Sequence, residues 1–321
     1  MSKNILCIGE ALIDFVCSDI GYDNLEGEVY FKKAGGAPAN VSACIGRLGG
    51  KAKFLGAVGN DVFGDYLVDT LRKFNVDVSG IQRTDISTSL AFVTLMKNAE
   101  REFVFNRGAD AEFELTLQNR QTPLLNNICH FGSATAFLEG KLQDSYFSFA
   151  EQCIEDKGVV CFDPNYRIDL WSARLDTFRL KCERFFKLAH IVKVSEEELE
   201  LLTGEKDLVL GCKVIHDYGV KTIFVTLGAK GCFLSTPGMA QIIPAFKVNA
   251  IDTTGAGDAF VGGALFKISS MQNVHSMEYS KLVEVVRFAQ KVSAYVCEKV
   301  GAMTALPTEL EVDKRTLNSL L

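Results

Sequence analysis

One segment of seven residues joins two carboxylates through a run of small side chains. Its sequence is Asp252-Thr253-Thr254-Gly255-Ala256-Gly257-Asp258, and the apolar run 259–266 that follows predicts a buried helix. The glycines therefore lie where a helix begins, and there several backbone N–H groups lack carbonyl partners and point the same way. Because the helix dipole adds partial positive charge at this end, the segment predicts a phosphate site.

Asp258 is unexpected in the first turn of a phosphate-binding helix, because a carboxylate repels a resting anion. Its presence is explained if it receives a proton from a hydroxyl group that attacks the phosphate. The alternative is a glycine-rich tight turn between a strand and a helix. The coincidence of small residues, two acids and an apolar helix favours phosphoryl transfer to an alcohol.

Two further patterns predict a site for hydroxyl groups. In Gly35-Gly36-Ala37-Pro38-Ala39-Asn40, the glycines allow a ligand to approach the backbone, and the Asn40 amide both donates and accepts hydrogen bonds. Asp14 stands among apolar residues at the predicted carboxyl end of the first strand, where it would accept hydrogen bonds from a sugar. The structural alternatives are a helix N-terminal turn for the glycine motif and a turn-capping carboxylate for Asp14.

Short apolar strands that alternate with amphipathic helices must position these residues. The predicted strands include 4–9, 53–58, 128–132, 159–163, 191–194 and 222–227. Apolar strands joined by helical crossovers indicate a mostly parallel sheet with helices on both faces. In such a sheet, ligands bind beyond the carboxyl ends of the strands.

Three strand-like segments fall outside this alternation, at 28–33, 88–97 and 102–106, and the last two form a hairpin pattern. We interpret them as a small β lid over the substrate because they flank the glycine motif. Edge strands of the main sheet are the alternative. The expected organisation is one domain over residues 1–321, with a lid formed by segments of about 14–34 and 88–108.

The composition argues against several classes of partner. The chain has 321 residues, 48% of them hydrophobic, and a net charge of -6 without a basic stripe, so we expect no nucleic-acid partner. The ten cysteines lie in apolar runs without a CxxC pair, which indicates buried reduced thiols. Neither a signal peptide nor a membrane span is indicated, and we therefore expect a cytoplasmic protein.

The glycine motif at 35–40 and the segment at 252–258, far apart and in this order, resemble the signatures of the PfkB (ribokinase-like) carbohydrate kinase family. The resemblance extends from about Ile5 to Pro307. It implies an α/β fold, a three-layer α/β/α sandwich with a mostly parallel central sheet and a small β-sheet lid. Within the family, two stretches are similar to bacterial fructokinases: Phe105-Asn106-Arg107-Gly108-Ala109-Asp110, and Phe162-Asp163-Pro164-Asn165-Tyr166-Arg167 followed by Trp171.

The resemblance implies a role for each motif. Asp258 would be the base that activates a sugar hydroxyl, and an anion hole for the transferring phosphoryl group would be formed by N–H groups of Gly255, Ala256, Gly257 and Asp258. The sugar would be held by Asp14, Gly35, Gly36 and Asn40. The ATP site would be lined by Thr226, Gly228 and Gly231.

The resemblance also implies where cations and the ATP phosphates bind. Family members often carry an N-x-x-E motif that supports magnesium-bound phosphates; here Glu198 matches it, but Ser195 replaces the asparagine. Lys193 would supply positive charge to the phosphates. Asp252 and Thr254 match positions that serve a monovalent cation in many members. The implied cofactors are therefore ATP and Mg2+, with K+ as a further possibility.

An ionised Asp258 fits this chemistry. Phosphoryl transfer has a loose transition state in which the proton leaves late, so the base need not be strong. We expect the helix N-terminus to lower the pKa of Asp258 and to keep it charged.

The sequence leaves the substrate open. Fructokinase activity, with phosphorylation of the 6-hydroxyl, is the expectation. Arg107 and Arg167 would contact sugar hydroxyls, ATP phosphates or a substrate carboxylate, and the last option favours a 2-keto-3-deoxygluconate kinase. Another sugar or nucleoside kinase of the family, a phosphofructokinase using Lys32 and Lys33, or a non-catalytic sugar-binding regulator are further alternatives. A homodimer through the apolar lid is also expected.

Overall fold

Two β-sheets form the framework of the fold, and the computed structural model describes them within residues 2–18, 27–95, 101–116 and 124–318. The larger sheet has nine strands in the order β13-β12-β11-β10-β9-β8-β1-β4-β5. Neighbouring strands are parallel from β11 to β5, whereas β12 and β13 are antiparallel additions at one edge. The strands are β1 Asn4–Ile8, β4 Lys51–Gly59, β5 Val76–Thr84, β8 Ile128–Phe131, β9 Val159–Phe162, β10 Ile191–Ser195, β11 Thr222–Thr226, β12 Cys232–Thr236 and β13 Met239–Ile243.

Helices cover both faces of this sheet and enclose one apolar core on each side. The first face packs against α1 Ala37–Arg47, α2 Val62–Lys73, α8 Ala256–Ser269, α9 Tyr279–Cys297 and α10 Glu309–Asn318. The second face packs against α3 Lys141–Glu155, α5 Leu175–Phe186, α6 Glu196–Thr203 and α7 Leu208–Asp217, and the short helix α4 spans Ile168–Trp171. These layers confirm the predicted three-layer α/β/α sandwich.

The smaller sheet is the predicted lid, with the strand order β3-β2-β6-β7. Its strands are β2 Leu12–Cys17, β3 Tyr30–Gly35, β6 Leu90–Leu95 and β7 Arg101–Asn106. It therefore has four strands rather than the three that the sequence indicated. Residues 19–26 and 96–100 of the predicted lid segments lie outside the described residues.

The additional lid strand corrects the predicted place of Asp14. The first strand ends at Ile8, and Asp14 lies inside the second strand, β2, in register with Lys33 of β3 and Ala91 of β6. The prediction was wrong because residues 10–14 were taken as the end of the first strand, whereas a second strand begins at Leu12. Asp14 therefore reaches the site from the lid and not from the main sheet.

The two faces of the lid sheet have different neighbours. The Phe15 ring stacks on Phe92 with centroids 5.3 Å apart, and its edge meets Phe63 of α2 at 5.8 Å. Because successive side chains of a strand point to opposite faces of the sheet, Asp14 points to the face that Phe15 leaves free. The β7 side chain that lies in the same cross-strand row as Asp14 points to that face as well. Within the described part of the chain, no helix is both long and apolar enough to cross a lipid bilayer.

Candidate active site

A pocket of about 550 Å³ lies between the lid sheet and the carboxyl ends of the central strands. Such a volume is within the usual range for small-molecule sites. The structure brings ten of the sequence-predicted residues to its wall: Asp14, Gly36, Asn40, Arg167, Lys193, Glu198, Thr254, Gly255, Gly257 and Asp258. The two signature motifs, more than 200 residues apart, therefore meet at one site.

Asn40 joins these motifs through a direct hydrogen bond, in which its Nδ2 donates to the Asp258 Oδ2 at 2.8 Å. Asn40 lies in the first turn of α1. Gly36, at φ 99°, is the N-cap of this helix, and Pro38 stands at its N-terminal end. The Asn40 Oδ1 is buried and accepts no hydrogen bond from the described residues. This pair therefore offers one acceptor for a ligand hydroxyl and one carboxylate for its proton.

Burial raises the pKa of Asp258, although the Asn40 hydrogen bond and the positive charges of Arg167 and Lys193 act in the opposite direction. The prediction that the helix N-terminus would lower this pKa was therefore wrong. The cost of removing the carboxylate from water exceeds the stabilisation that the Asn40 hydrogen bond and the neighbouring positive charges provide. A raised pKa makes Asp258 a better proton acceptor than an ordinary aspartate.

Gly255 is the N-cap of α8, and its backbone has a conformation that only glycine adopts easily. Its φ is +73°, and a Cβ at this position would lie 2.4 Å from the Ala302 Cβ. The first N–H groups of a helix have no carbonyl partner within the helix, but the Ala256 N–H donates to the Thr253 carbonyl at 3.2 Å. The N–H groups of Gly257 and Asp258 are therefore the better placed donors for an anion.

Lys193 lies at this helix end as well. A Cβ added to Gly257 would be 3.5 Å from the Lys193 Nζ, and the same Nζ forms an ion pair with the Asp163 Oδ2 at 3.1 Å. Burial alone would lower the pKa of Lys193, but the carboxylates of Asp163 and Glu198 more than offset this and raise it. The lysine consequently stays protonated beside the predicted anion hole.

Ser195 and Glu198 form a reciprocal cap at the start of α6. The Ser195 Oγ accepts from the Glu198 N–H at 3.1 Å, and the Glu198 Oε2 accepts from the Ser195 N–H at 2.8 Å. The other carboxylate oxygen of Glu198 accepts from the Tyr166 N–H at 2.8 Å. The serine that replaces the family's asparagine is thus an effective N-cap, and the magnesium role of Glu198 stays a prediction.

Replacement of Ser195 by alanine tests this cap. We expect Ser195→Ala to lower the free energy of unfolding by about 1 kcal/mol, as for other lost N-caps, and to raise the KM for ATP because the first turn of α6, which carries Glu198 at the pocket wall, loses the acceptor for the Glu198 N–H. Urea denaturation and initial-rate kinetics measure the two effects. Asp207→Ala is the matched control, since Asp207 caps α7 by accepting from the Val209 and Leu210 N–H groups; it should lose similar stability and keep its KM. Equal KM values for both variants would contradict the expectation.

Asp252 holds the phosphate segment to the chain that follows α9. Its Oδ1 accepts from the Thr254 N–H at 2.9 Å, and its Oδ2 accepts from the Gly301 N–H at 2.9 Å. Asp252 does not line the pocket, although Thr254 does. Within the described residues, no group of three or more histidine, cysteine, aspartate or glutamate side chains is arranged to hold a metal ion. Monovalent-cation binding at Asp252 and Thr254 therefore stays a prediction.

Of the predicted nucleotide residues, Thr226 ends β11, and Gly228 and Gly231 follow it at the same edge of the sheet; none of the three lines the pocket. Thr226 is in register with Ser195, so this loop lies next to the cap of α6. A Cβ on Gly231 would lie 2.1 Å from the Ile243 carbonyl oxygen, which requires glycine there. The loop consequently lies next to Ser195 of the pocket wall, and its role in nucleotide binding stays a prediction.

Three other predicted residues do not line the pocket. Gly35 makes room for Asp14, since a Cβ there would lie 2.0 Å from the Asp14 Oδ2. Ala256 is the first residue of α8, and its N–H is taken up by the Thr253 carbonyl. The Arg107 guanidinium donates from its Nε to the buried Asp110 carboxylate at 3.1 Å and from its Nη1 to the Glu139 carbonyl. A direct substrate contact from Arg107 thus stays a prediction without support from its position.

The sequence interpretation missed several pocket residues, among them Glu10, Phe103, Phe105, Asn165 and Tyr166. Phe103 and Phe105 carried a signal, because alternate residues of a lid strand share a face. Glu10 lay in a segment that was taken as the end of one strand. Its burial could not be predicted from its neighbours in sequence.

A carboxylate at a helix N-terminus, hydrogen-bonded to an asparagine in a pocket under a β lid, favours a carbohydrate kinase. Residues 2–309 match the profile of the pfkB family carbohydrate kinases. The chain is 39% identical to fructokinase-1 of Oryza sativa subsp. japonica, with 98% of this chain and 97% of the rice protein covered. The chain therefore belongs to the pfkB family of carbohydrate kinases.

Solved structures show the same similarity. A fructokinase variant from Vibrio cholerae O395, with fructose, ADP and a potassium ion bound, has a TM-score of 0.86 at 33% identity, covering 98% of this chain and 99% of that one. The ATP-bound fructokinase from Xylella fastidiosa has a TM-score of 0.87 at 30% identity, with 100% of both chains covered.

Proposed function

We propose that this chain is an ATP-dependent fructokinase that transfers the γ-phosphoryl group of ATP to the 6-hydroxyl of fructose, with Mg2+ bound to the nucleotide. The observation that carries the proposal is the Asn40–Asp258 hydrogen bond of 2.8 Å at the start of α8. It places a proton acceptor beside the N–H groups that would bind the phosphoryl oxygens. Positioning and charge stabilisation of this kind account for most of the catalysis of phosphoryl transfer.

In this mechanism, Asp14 from the lid and Asn40 from α1 hold the sugar, and Asp258 orients and deprotonates the attacking hydroxyl. The N–H groups of Gly257 and Asp258, together with the Lys193 ammonium, stabilise the charge on the transferring group. Bound Mg2+ would neutralise further phosphate charge, and K+ bound near Asp252 would strengthen the helix start. The aromatic side chains of the lid limit access of water, which competes with the sugar as nucleophile.

The identity of the sugar is supported by the similarity to named fructokinases and by the positions of the basic side chains. A 2-keto-3-deoxygluconate kinase would require an arginine for the carboxylate; Arg107 is engaged by Asp110, so this rival would have to use Arg167, which lines the pocket. A phosphofructokinase would require lysines at the site, but the Lys32 Nζ lies 4.0 Å from the centroid of the Tyr66 ring on the other face of the lid, and Lys33, although in register with Asp14, does not line the pocket. A non-catalytic regulator would have no need of Asp258.

A substrate panel tests the proposal. Purified protein with Mg-ATP is offered fructose, ribose, adenosine, 2-keto-3-deoxygluconate and fructose phosphates, and ADP release and the sugar product are measured. We expect the highest kcat/KM with fructose and a 6-phosphate product. A higher value for ketodeoxygluconate would establish the rival kinase, and the absence of phosphorylation of every acceptor would contradict the kinase proposal itself.

A homodimer through the lid and a cytoplasmic location belong to the same proposal. Phe31 is 57% exposed on β3 of the lid, whereas Phe92 packs between Phe15 and Tyr30 of the same sheet. A dimer would cover Phe31, and sedimentation velocity would detect it.

A further inference from the structure

The lid sheet joins the rest of the chain at four roots, and two of these roots carry a buried carboxylate. We define the lid roots as residues 10–12, 35–37, 87–90 and 106–110, each of which contains one end of a lid strand and the residues next to it. Glu10 is 2% exposed and Asp110 is fully buried. An ionised carboxylate that deep in a protein requires several hydrogen-bond donors, so the partners of these two groups are informative.

Glu10 connects the roots of β2 and β3 to the loop after β8. Its Oε1 accepts from the Ala37 N–H at 3.2 Å and from the Ala134 N–H at 3.4 Å, and its Oε2 accepts from the Ser133 hydroxyl. Ala37 is the first residue of α1, which also carries Asn40. Glu10 consequently links loop 132–136 to the helix that positions the sugar ligand.

Asp110 connects the roots of β6 and β7 to the same loop. Its Oδ1 accepts from the Ser89 hydroxyl, and its Oδ2 accepts from the Arg107 Nε at 3.1 Å and from the Thr135 hydroxyl at 2.8 Å. The Gly108 N–H in turn donates to the Ser89 Oγ at 2.9 Å. Both ends of the β6–β7 hairpin are thereby held by one carboxylate.

We call the hydrogen bonds of Glu10 and Asp110 the lid-root network. Loop 132–136 takes part in the hydrogen bonds of both carboxylates. The Ser133 Oγ accepts from the Ala136 N–H at 2.9 Å, and it lies 3.5 Å from the Thr135 Oγ1. The loop also supplies Ala134 to the pocket wall. A shift at either carboxylate would therefore move the lid and the sugar pocket together.

We propose that Glu10 and Asp110 are positioning residues that hold the four lid roots on loop 132–136, and that they thereby fix Asp14 and Asn40 relative to Asp258. The proposal rests on the proposed function in so far as the ligand held between lid and α1 is a sugar. Neither carboxylate takes part in the chemical step.

Kinetics and hydrogen exchange of Glu10→Gln and Asp110→Asn test the proposal. We expect each change to raise the KM for fructose by about 10-fold, the size expected when a charge-assisted hydrogen bond is lost, and to leave the KM for ATP within about twofold. In Asp110→Asn, the backbone amides of 86–92 and 106–112 should exchange faster than in the native chain. A role confined to global stability would change the exchange of the central strands equally and would not separate the two KM values.

Two further variants keep the test decisive. Glu112→Gln is the matched control, because Glu112 lies in the same turn but pairs with Lys141 at the surface; it should behave like the native chain. Thr135→Val removes one donor of the network and gives a milder form of the same phenotype should Asp110→Asn fail to fold.

The fluorescence of the single tryptophan provides a measurement that does not depend on enzyme turnover. The Trp171 Nε1 donates to the Ala134 carbonyl at 3.5 Å, so its fluorescence reports on loop 132–136. We expect an emission shift in Glu10→Gln and Thr135→Val but not in Glu112→Gln. If the native chain phosphorylated no sugar, the proposed function would fail while exchange and emission still tested the network. Exchange, emission and KM values that match the native chain in every variant would overturn the network proposal.

Discussion

Asp258→Asn is expected to lower kcat by about 10³-fold while the dissociation constant for fructose changes by less than about threefold, in the range reported for loss of a general base. The amide has nearly the same shape, and its oxygen still accepts the hydrogen bond that the Asn40 Nδ2 donates at 2.8 Å to the native carboxylate. It cannot accept the proton of the attacking hydroxyl. Steady-state kinetics and calorimetric titration with fructose separate the two effects.

A surface change serves as the control for this variant. Asp217→Asn removes a carboxylate that pairs with Lys213 at the surface of α7 and should leave kcat unchanged. Two results would contradict the assignment of the base. A normal kcat in Asp258→Asn would mean that another group accepts the proton, and a loss of fructose binding with normal saturating turnover would make Asp258 a binding residue.

The pH dependence of the same residue follows from its burial. Because the pKa of Asp258 is raised, kcat/KM should fall on acidification at a pH above the ordinary aspartate value of about 3.9.

The raised pKa of Asp258 affects folding stability in the opposite direction, because acidification stabilises the fold. A folded chain that binds this proton more tightly than the unfolded chain loses stability as the pH rises from the unfolded to the folded pKa. Asp258→Asn, which has no charge to bury, should therefore resist urea better than the native chain at neutral pH.

The two signature segments could be predicted from sequence because their signals are local. Position 255 requires glycine because its φ is positive, and the apolar run after Asp258 forms a buried helix. Both features can be recognised within the segment 252–258 and the residues that follow it. The same holds for the glycines before α1. Alternation of strands and helices was enough for six strands of the main sheet, since each crossover is a short-range pattern, but the edge strands β5, β12 and β13 were not predicted.

Features that depend on contacts between distant segments could not be predicted. The direction of the Asp258 pKa shift results from the helices and strands that exclude water from it. The pairing of Asp110 with Ser89 and Thr135 joins three loops. The start of β2 is set by the lid sheet, in which β2 pairs with β3 and β6. Gly9, at φ +144°, marks the break after β1, but it does not indicate that the chain enters another sheet.

Lys193→Met should lower kcat by about 100-fold, a loss comparable to removal of one anion-hole donor. The lysine ammonium lies at the start of α8 and helps to hold down the pKa of Asp258. Its removal should therefore also move the acid limb of the kcat/KM profile to higher pH. Lys193→Arg, which keeps the charge, should retain more activity and shift the limb less.

Stability must be separated from catalysis in this variant, because the Lys193 Nζ pairs with the buried Asp163 carboxylate at 3.1 Å. A buried carboxylate without its partner costs about 3–5 kcal/mol of folding free energy. Asp163→Asn in the same chain removes that cost, and its Oδ1 can still accept from the Asn165 N–H as the native carboxylate does at 3.1 Å. We expect the double variant to regain stability in urea but not kcat, since the anion hole still lacks its positive charge. Recovery of both would show that Lys193 only neutralises Asp163, and the transferring phosphoryl group would then be stabilised by the N–H groups of α8 and the nucleotide's own metal ion.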